Sequence, residues 1–205
     1  MYRTQPDLRQ NITDARVWKN GHTILDSGRH SFVRLDMERL LEHRNQMRLR
    51  SVIHGVAELL GDRQYNAVVP VPNCATTLLV AAEIPDHLPP VIPPSKLDKR
   101  NFAFEHPAAE AIMKRAARLA IFDDVLTTGR TSLAVASTIR ELNPTVALDL
   151  VAIWCRDTLD TAVAETFQHQ AFLETQARPQ RPNPRARVHL CLWVVPARPP
   201  WWLAL

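Results

Sequence analysis

Glycine, cysteine and long apolar runs are all scarce in this chain. The 205 residues include five glycines and three cysteines. Cys74, Cys155 and Cys191 are too few and too scattered for a disulfide framework or a cysteine-rich zinc site. No apolar stretch approaches the roughly eighteen residues of a membrane helix, and the N-terminal segment lacks the apolar core of a secretory signal. We therefore expect reduced thiols and a cytoplasmic protein.

The composition that remains is that of an ordinary folded domain. Hydrophobic residues make up 46% and charged residues 22% of the chain, which excludes disorder throughout. The formal net charge of +4 favours anionic ligands, phosphorylated metabolites and nucleic acid alike. We expect a single domain over residues 1–205, with an N-terminal hood of hairpin and helix in 1–60, a ligand-binding core in 61–160, and a Pro/Arg-rich connection, last strand and apolar tail in 178–205.

Hydrophobic periodicity predicts an α/β protein with a parallel sheet. Two short β-prone runs around a Ser-Gly turn predict a hairpin at 22–35, and an apolar stripe predicts a helix that begins at an Asp36 cap and stops at Gly61. Further strands are predicted at 66–72, 89–94, 118–123, 145–155 and 188–195. Helices are predicted at 76–84 and 131–142, a weak helix at 158–175, and a long loop that runs into a helix at 95–111. The alternation of strands and helices predicts ligands at the carboxyl ends of the strands.

Acidic, hydroxyl and glycine residues are concentrated in IFDDVLTTGRTS, residues 121–132. Asp123 and Asp124 end an apolar run, a Thr-Thr-Gly turn follows, and a helix begins near Thr131. Free amides at a helix start, its positive dipole end and the Thr and Ser hydroxyls would bind a phosphate dianion, while Gly129 would let the amides converge. The carboxylates can accept hydrogen bonds from vicinal ribose hydroxyls and hold a hydrated magnesium ion. The segment therefore predicts a ribose 5-phosphate site.

This segment resembles the motif by which type I phosphoribosyltransferases bind 5-phosphoribosyl 1-diphosphate (PRPP). The resemblance implies a Rossmann-like parallel sheet flanked by helices, with a small N-terminal hood. It also implies a homodimeric, magnesium-dependent pentosyltransferase of pyrimidine nucleotide metabolism, which transfers the phosphoribosyl group to a nitrogen of a nucleobase-like acceptor and releases diphosphate. Asp123 and Asp124 would hold magnesium through water, and Asp124 would be catalytic. The residues implied to bind PRPP here are Asp123, Asp124, Val125, Leu126, Thr127, Thr128, Gly129, Arg130 and Thr131.

Two earlier segments are similar to the orotate phosphoribosyltransferases. Pro72, Asn73, Cys74 and Ala75 match the loop that binds diphosphate in that family, although glycine, or lysine and glycine, are usual at the positions of Asn73 and Cys74. Leu25–Ser31 is similar to the pattern that borders the acceptor, which implies acceptor contacts for Asp26, Ser27 and Gly28. An aspartate at 26 would repel orotate at a cost on the order of a few kcal/mol. We therefore predict a neutral or amino-bearing acceptor in preference to orotate.

The family's catalytic loop is matched only in part. Residues 96–99 keep its Lys-x-x-Lys spacing, but Arg100 and Asn101 stand where an acidic residue and a histidine are usual. Lys96, Lys99 and Arg100 could still neutralise the departing diphosphate, and we predict them as catalytic residues. A solvated basic loop without a catalytic role is the alternative.

Other functions stay open. A non-catalytic sensor or regulator would keep the PRPP site without acceptor chemistry, and would bind nucleic acid through Arg178, Arg181, Arg185 and Arg187. A structural partner in a larger complex is supported only by the apolar C-terminal tail. A nucleophilic role for Cys74 is a weaker hypothesis still, since no base stands near it in the sequence.

Overall fold

A computed structural model describes residues 7–24, 30–61, 63–72, 74–82, 89–98, 101–155, 161–175 and 187–190. The strands are β1 Trp18–Ile24, β2 His30–Leu35, β3 Ala67–Pro70, β4 Ser95–Lys96, β5 Phe102–Ala103, β6 Arg118–Leu126, β7 Ala147–Cys155, β8 His169–Thr175 and β9 Arg187–Leu190. The helices are α1 Asp7–Asp14, α2 Gln46–Gly61, α3 Cys74–Ala81, α4 Pro107–Arg115, α5 Arg130–Leu142 and α6 Thr161–Thr166, with 3-10 helices at Met37–Leu41 and His43–Asn45. None of the helices in these ranges has the length and apolar character to cross a membrane.

A five-stranded parallel sheet forms the centre, in the order β3-β6-β7-β8-β9. Every residue of β3 and nearly all of β7 are buried, as a sheet covered on both faces requires. The predicted α/β class with a parallel sheet flanked by helices is confirmed. The strands predicted at 66–72, 118–123 and 145–155 and the helix predicted at 131–142 are all present.

Two hydrophobic cores lie on opposite faces of the sheet. The first core contains residues of α1, α2 and α3, and the second contains residues of α4, α5 and α6. Side chains of β6 alternate between them, with Ala120 and Phe122 in the first and Leu119 and Ile121 in the second. In the first core the N-terminal hairpin is joined to the sheet by Trp18 and Trp154, because their rings meet edge to face with centroids 5.0 Å apart.

The N-terminal segment confirms the predicted hairpin and corrects the predicted helix. Strands β1 and β2 pair antiparallel, and their turn at 25–29 lies outside the described residues. The helix predicted from Asp36 begins only at Gln46, after two 3-10 segments, and it ends at Gly61 as predicted. The Asp36 side chain does not cap a helix, since it pairs with Lys19 and Arg39. The buried amide of Asn45 donates to the Arg39 carbonyl at 2.7 Å, which occupies a carbonyl that a continuous helix would use.

Three other segments differ from the sequence prediction. The strand predicted at 89–94 is a single parallel bridge between Val91 and Val68. The loop predicted at 95–111 contains a two-stranded hairpin, β4–β5, because Phe102 and Phe104 are buried in the second core and anchor it. Within the described part, 161–175, of the weak helix predicted at 158–175, α6 alone is helical. Strand β8 follows, since pairing with β7 overrides a weak helical pattern.

The C-terminal prediction is tested only over a short range. The strand predicted at 188–195 corresponds to β9, which pairs with β8. The three arginines at 178, 181 and 185 and the apolar tail lie outside the described residues, and their roles stay predictions.

The ion pairs of Asp36 predict an acid-sensitive contact between the hairpin and the 3-10 helix that follows it. Burial raises the pKa of this carboxyl, but Lys19 and Arg39 outweigh burial and lower the pKa below its usual value of 3.8. The contribution of Asp36 to stability is therefore present above that value and is lost as pH falls through the lower pKa of the folded state. In Asp36→Asn we expect the melting temperature to fall less than in wild type between about pH 7 and about pH 3.

The control for this variant is Glu42→Gln, which removes an ion pair between Glu42 and Arg44 that is more exposed. It should follow the wild-type acid dependence. Identical acid dependence in wild type and Asp36→Asn would contradict the assignment.

Candidate functional site

The motif at 121–132 lies at the carboxyl edge of the sheet, as predicted. Strand β6 runs beyond its predicted end at Asp123 and carries both aspartates. The Val71 amide donates to the Phe122 carbonyl at 2.7 Å, which holds the chain between β3 and α3 beside the end of β6. Two segments distant in sequence therefore meet at one edge of the sheet.

Asp123 is turned towards α5. Its side chain is buried, and Ser132 Oγ donates a hydrogen bond to its Oδ2 at 2.8 Å. Burial raises the pKa of this carboxyl well above its usual value, and the neighbouring charge of Asp124 raises it further. A ligand that brings hydroxyl donors or a cation would offset both effects.

Asp124 contacts α3 on the other side of β6, and its carboxyl also lies within hydrogen-bonding distance of the Asp123 carboxyl. It is half-buried and forms a side-chain hydrogen bond with Cys74, the first residue of α3. Burial raises the pKa of the Cys74 thiol, and the charges of Asp124, Glu38 and Asp36 raise it further. The thiol is therefore protonated at neutral pH and donates to Asp124. The raised pKa opposes a nucleophilic role for Cys74, since a nucleophilic cysteine requires a thiolate.

Gly129 shapes the turn between β6 and α5. It has φ 75° and is the N-cap of α5, and as a glycine it has no side chain with which to cap this end of the helix. Because the first amides of a helix have no partner within it, an uncapped start offers donors to an anion. Thr127 and Thr128 are half-buried beside it, and Thr131 is exposed. The special backbone conformation predicted for Gly129 is confirmed.

Comparison with known proteins gives the fold. No protein-family model matches the sequence, and no curated protein sequence matches it. UMP synthase from Leishmania donovani superimposes with a TM-score of 0.64 at 19% identity, over 83% of this chain and 36% of that one. Orotate phosphoribosyltransferase from Aeropyrum pernix does so with a TM-score of 0.54 at 18% identity, over 82% and 93%. The chain has the type I phosphoribosyltransferase fold.

A third structure with this fold is a complex with a ligand. It is the orotate phosphoribosyltransferase of Mycobacterium tuberculosis H37Rv in complex with PRPP, with a TM-score of 0.52 at 17% identity, over 83% of this chain and 96% of that one. The chain thus spans little more than a third of the Leishmania protein but nearly the whole of the other two. The predicted resemblance is confirmed in its fold.

The remaining predicted site residues of this phosphoribosyltransferase fold are buried, partly or fully exposed, or outside the described residues. Ala75 and Leu126 are fully buried, so any ligand contact they make is through the backbone, and Val125 is half-buried against the first core. Lys96 is exposed on β4, Arg130 is exposed on the first turn of α5, and Pro72 is half-buried before α3. Asp26, Ser27, Gly28, Asn73, Lys99 and Arg100 lie outside the described residues, and their roles stay predictions.

One hydroxyl of the motif has a different partner from the predicted one. The Thr and Ser hydroxyls were all expected to bind phosphate, but Ser132 is fully buried and bonds to Asp123. Its position carries a signal, because Val135, Ala136 and Ile139 follow at three, four and seven residues and are buried on the same face of α5. The bond between Cys74 and Asp124 has no such local signal.

The aspartate pair fits a magnesium ion whose remaining ligands are supplied by a substrate and by water. Magnesium in proteins is commonly held by one or two carboxylates together with substrate phosphates and waters. Asp123 and Asp124 supply two carboxylates, and a cation beside them would offset the repulsion that raises the pKa of Asp123. Among the described residues, no group of three or more His, Cys, Asp and Glu side chains is arranged to hold a metal by itself.

Proposed function

We propose that this protein transfers the 5-phosphoribosyl group from PRPP to a nitrogen of a nucleobase-like acceptor and releases diphosphate, with magnesium. The observation that carries the proposal is the placement of Asp123, Asp124 and the Gly129 turn at the carboxyl edge of a phosphoribosyltransferase fold. The Mycobacterium tuberculosis protein of the same fold is named with PRPP bound. We further propose that the protein is a cytoplasmic homodimer of pyrimidine nucleotide metabolism.

Different residues of the chain bind different parts of the donor, PRPP. Asp123 and Asp124 accept hydrogen bonds from the ribose hydroxyls, and the uncapped start of α5 with Thr127–Thr131 binds the 5-phosphate. Residues Pro72–Ala75 at the start of α3 bind the diphosphate. These contacts hold the anomeric carbon with one face open to the acceptor, so that catalysis is largely positioning and charge stabilisation.

The transfer breaks one bond and forms one. The bond from the anomeric carbon to diphosphate breaks and its electron pair leaves with diphosphate. The acceptor nitrogen then donates its lone pair to the same carbon from the opposite face and loses its proton. Positive charge that develops on the ribose is stabilised by the carboxylate of Asp124, which is half-buried. Magnesium, when bound, neutralises charge on the leaving diphosphate, and Lys96, Lys99 and Arg100 add to that effect.

The acceptor in this proposal is neutral or amino-bearing. Asp36, Glu38 and Asp124 all lie close enough to Cys74 to raise the pKa of its thiol. This acidic surrounding supports the argument from Asp26 that an anionic base such as orotate is disfavoured.

A PRPP-binding sensor without turnover is the second candidate. The observation that favours it is Cys74, whose thiol occupies the start of α3 and bonds to Asp124 where the diphosphate would bind. A side chain at this position restricts the approach of phosphate oxygens to the backbone amides.

Incubation of the protein with magnesium, PRPP and a panel of purines, pyrimidines and their analogues distinguishes these functions, with diphosphate release followed over time. Turnover with one acceptor supports the transferase. Saturable PRPP binding in a calorimeter without diphosphate release supports the sensor. Absence of PRPP binding rejects both.

Asp124→Asn is expected to weaken PRPP binding without unfolding the protein. The substitution keeps the shape of the side chain but replaces an ionised acceptor, and a hydrogen bond to a charged group contributes about 1.5–3 kcal/mol. The dissociation constant measured by calorimetry should rise about tenfold to a hundredfold. Glu141→Gln, exposed at the far end of α5, is the control and should bind as wild type. Unchanged affinity in Asp124→Asn would remove the aspartate pair from the site.

A further inference from the structure

Ser132 forms a buried hydrogen bond directly behind the proposed ribose site. Its side chain is 0% exposed in the first turn of α5, and its Oγ donates to Asp123 Oδ2 at 2.8 Å. Asp123 itself is only 7% exposed. The bond therefore forms away from solvent, where a hydrogen bond restricts its acceptor more strongly than it does at the surface.

The Asp123 carboxylate has few groups to hold it. The hydroxyl of Ser132 and the backbone amide of Asp124 donate to it, whereas its contact with the Asp124 carboxyl opposes its charged form. The other buried residues on this face of α5, which are Val135, Ala136 and Ile139, offer only carbon. A buried carboxylate that loses a donor is costly and turns towards another partner or takes up a proton.

The hydroxyl of Ser132 has no competing role in its own helix. The N-cap of α5 is Gly129, so the capping position is not taken by Ser132. Ser137, one helix face away, shows the usual local alternative, because its Oγ donates back to the Leu133 carbonyl at 3.0 Å. Ser132 instead directs its hydroxyl out of the helix and onto β6.

We propose that Ser132 is a positioning residue that fixes the Asp123 carboxylate in the orientation in which it accepts the ribose hydroxyls of the donor. Ser132 acts through Asp123 and contributes nothing to binding of the 5-phosphate. The inference rests on the proposed function, since the ribose phosphate of PRPP is the ligand it concerns. It predicts that loss of the hydroxyl separates recognition of the sugar from recognition of the phosphate.

The test compares Ser132→Ala with Ser137→Ala, a matched variant that removes a hydroxyl from the exposed side of the same helix. Ser132→Cys, which keeps a weak donor, is the conservative variant. Dissociation constants are measured in magnesium buffer for PRPP, for ribose 5-phosphate and for inorganic phosphate as a competitor. We expect Ser132→Ala to weaken PRPP and ribose 5-phosphate about tenfold, equivalent to about 1.4 kcal/mol. Inorganic phosphate should be unaffected, Ser132→Cys should fall in between, and Ser137→Ala should match wild type.

Each other outcome overturns the inference in a recognisable way. Equal PRPP affinity of the two alanine variants rejects a role for Ser132 and leaves the proposed function standing. An equal loss of affinity for inorganic phosphate means that Ser132 shapes only the start of the helix. If Ser132→Ala does not fold, the same ratio of ribose 5-phosphate to phosphate affinity is measured in Ser132→Cys, and an unchanged ratio there rejects the inference. Wild-type protein that binds neither PRPP nor ribose 5-phosphate rejects the proposed function and the inference with it.

Discussion

Replacement of Gly129 by alanine is expected to destabilise the protein by about 2–5 kcal/mol, as the sum of two costs. The backbone at Gly129 has φ 75°, a conformation that costs a residue with a side chain roughly 1–2 kcal/mol. A Cβ at this position would lie 2.8 Å from Val163 Cγ2, and overpacking of a buried contact costs about 1–3 kcal/mol. The urea concentration at the midpoint of unfolding should fall accordingly. Affinity for PRPP should fall as well, since the turn at Gly129 sets the start of α5.

The two costs are separable with a second substitution. Val163→Ala removes both Cγ atoms and leaves only Val163 Cβ, at 3.5 Å from the new side chain, which is an ordinary contact. The double variant Gly129→Ala with Val163→Ala should therefore lose less stability than the two single variants added together. The difference in stability between the double variant and Val163→Ala alone measures the backbone strain.

The control for Gly129 is Gly61→Ala at the end of α2. No atom lies within 4 Å of a Cβ built there, and we expect a change within about 0.5 kcal/mol. If Gly129→Ala is as mild as Gly61→Ala, the strained turn is not a property of the protein in solution.

Replacement of Asp149 by alanine is expected to cost about 3 kcal/mol, at the low end of what broken buried ion pairs cost. Asp149 is 1% exposed at the amino end of β7, the edge opposite the proposed site. Its Oδ2 accepts from Arg63 at 3.0 Å, from Arg118 Nε at 3.1 Å and from the Tyr65 hydroxyl at 2.7 Å. The two arginines keep partial access to water, which limits the penalty, whereas the Tyr65 hydroxyl is left buried without its acceptor.

Chemical denaturation of Asp149→Ala measures this loss, and PRPP affinity should stay at the wild-type value because the network is remote from the donor motif. An alkaline titration provides a second test. Burial raises the pKa of Tyr65 above its usual value of 10.0, and Asp149 raises it further. Stability from this group is therefore present below about pH 10 and is lost as pH rises towards the folded pKa. Tyr65→Phe should remove that alkaline loss.

Glu110→Gln is the matched control for Asp149, since it breaks an exposed ion pair with Lys114 one helical turn away. Exposed pairs of this spacing contribute about 0.3–0.5 kcal/mol. A cost for Asp149→Ala no larger than that would show that the network adds nothing to stability.

The features that the sequence predicted well are those whose physics is local. Apolar runs without helical period at 66–72 and 145–155 identified buried strands. Both aspartates and Gly129 could be predicted together because they lie close in sequence on one strand-to-helix turn. The predicted cap at Asp36 was wrong because Lys19, on another segment, pairs with this carboxylate, and because the Asn45 side chain occupies the Arg39 carbonyl.

Longer-range contacts had no sequence signal of comparable strength. Arg63 and Arg118 reach Asp149 from 86 and 31 residues away. Strand β8 depends on hydrogen bonds with β7. The weakly helical pattern of its own sequence does not predict that pairing. The β4–β5 hairpin is anchored by the burial of Phe102 in the second core. Because other segments of the chain form that core, the local sequence does not predict the hairpin.

The position of both aspartates on one strand has a consequence for strand length. Ser132 faces Asp123 from one layer of helices and Cys74 faces Asp124 from the other. Because side chains alternate between the two cores from Leu119 to Phe122, deletion of a single residue there would slip the register and turn each acid towards the partner of the other. The number of residues between Arg118 and Asp123 is therefore as much a part of the site as the acids themselves.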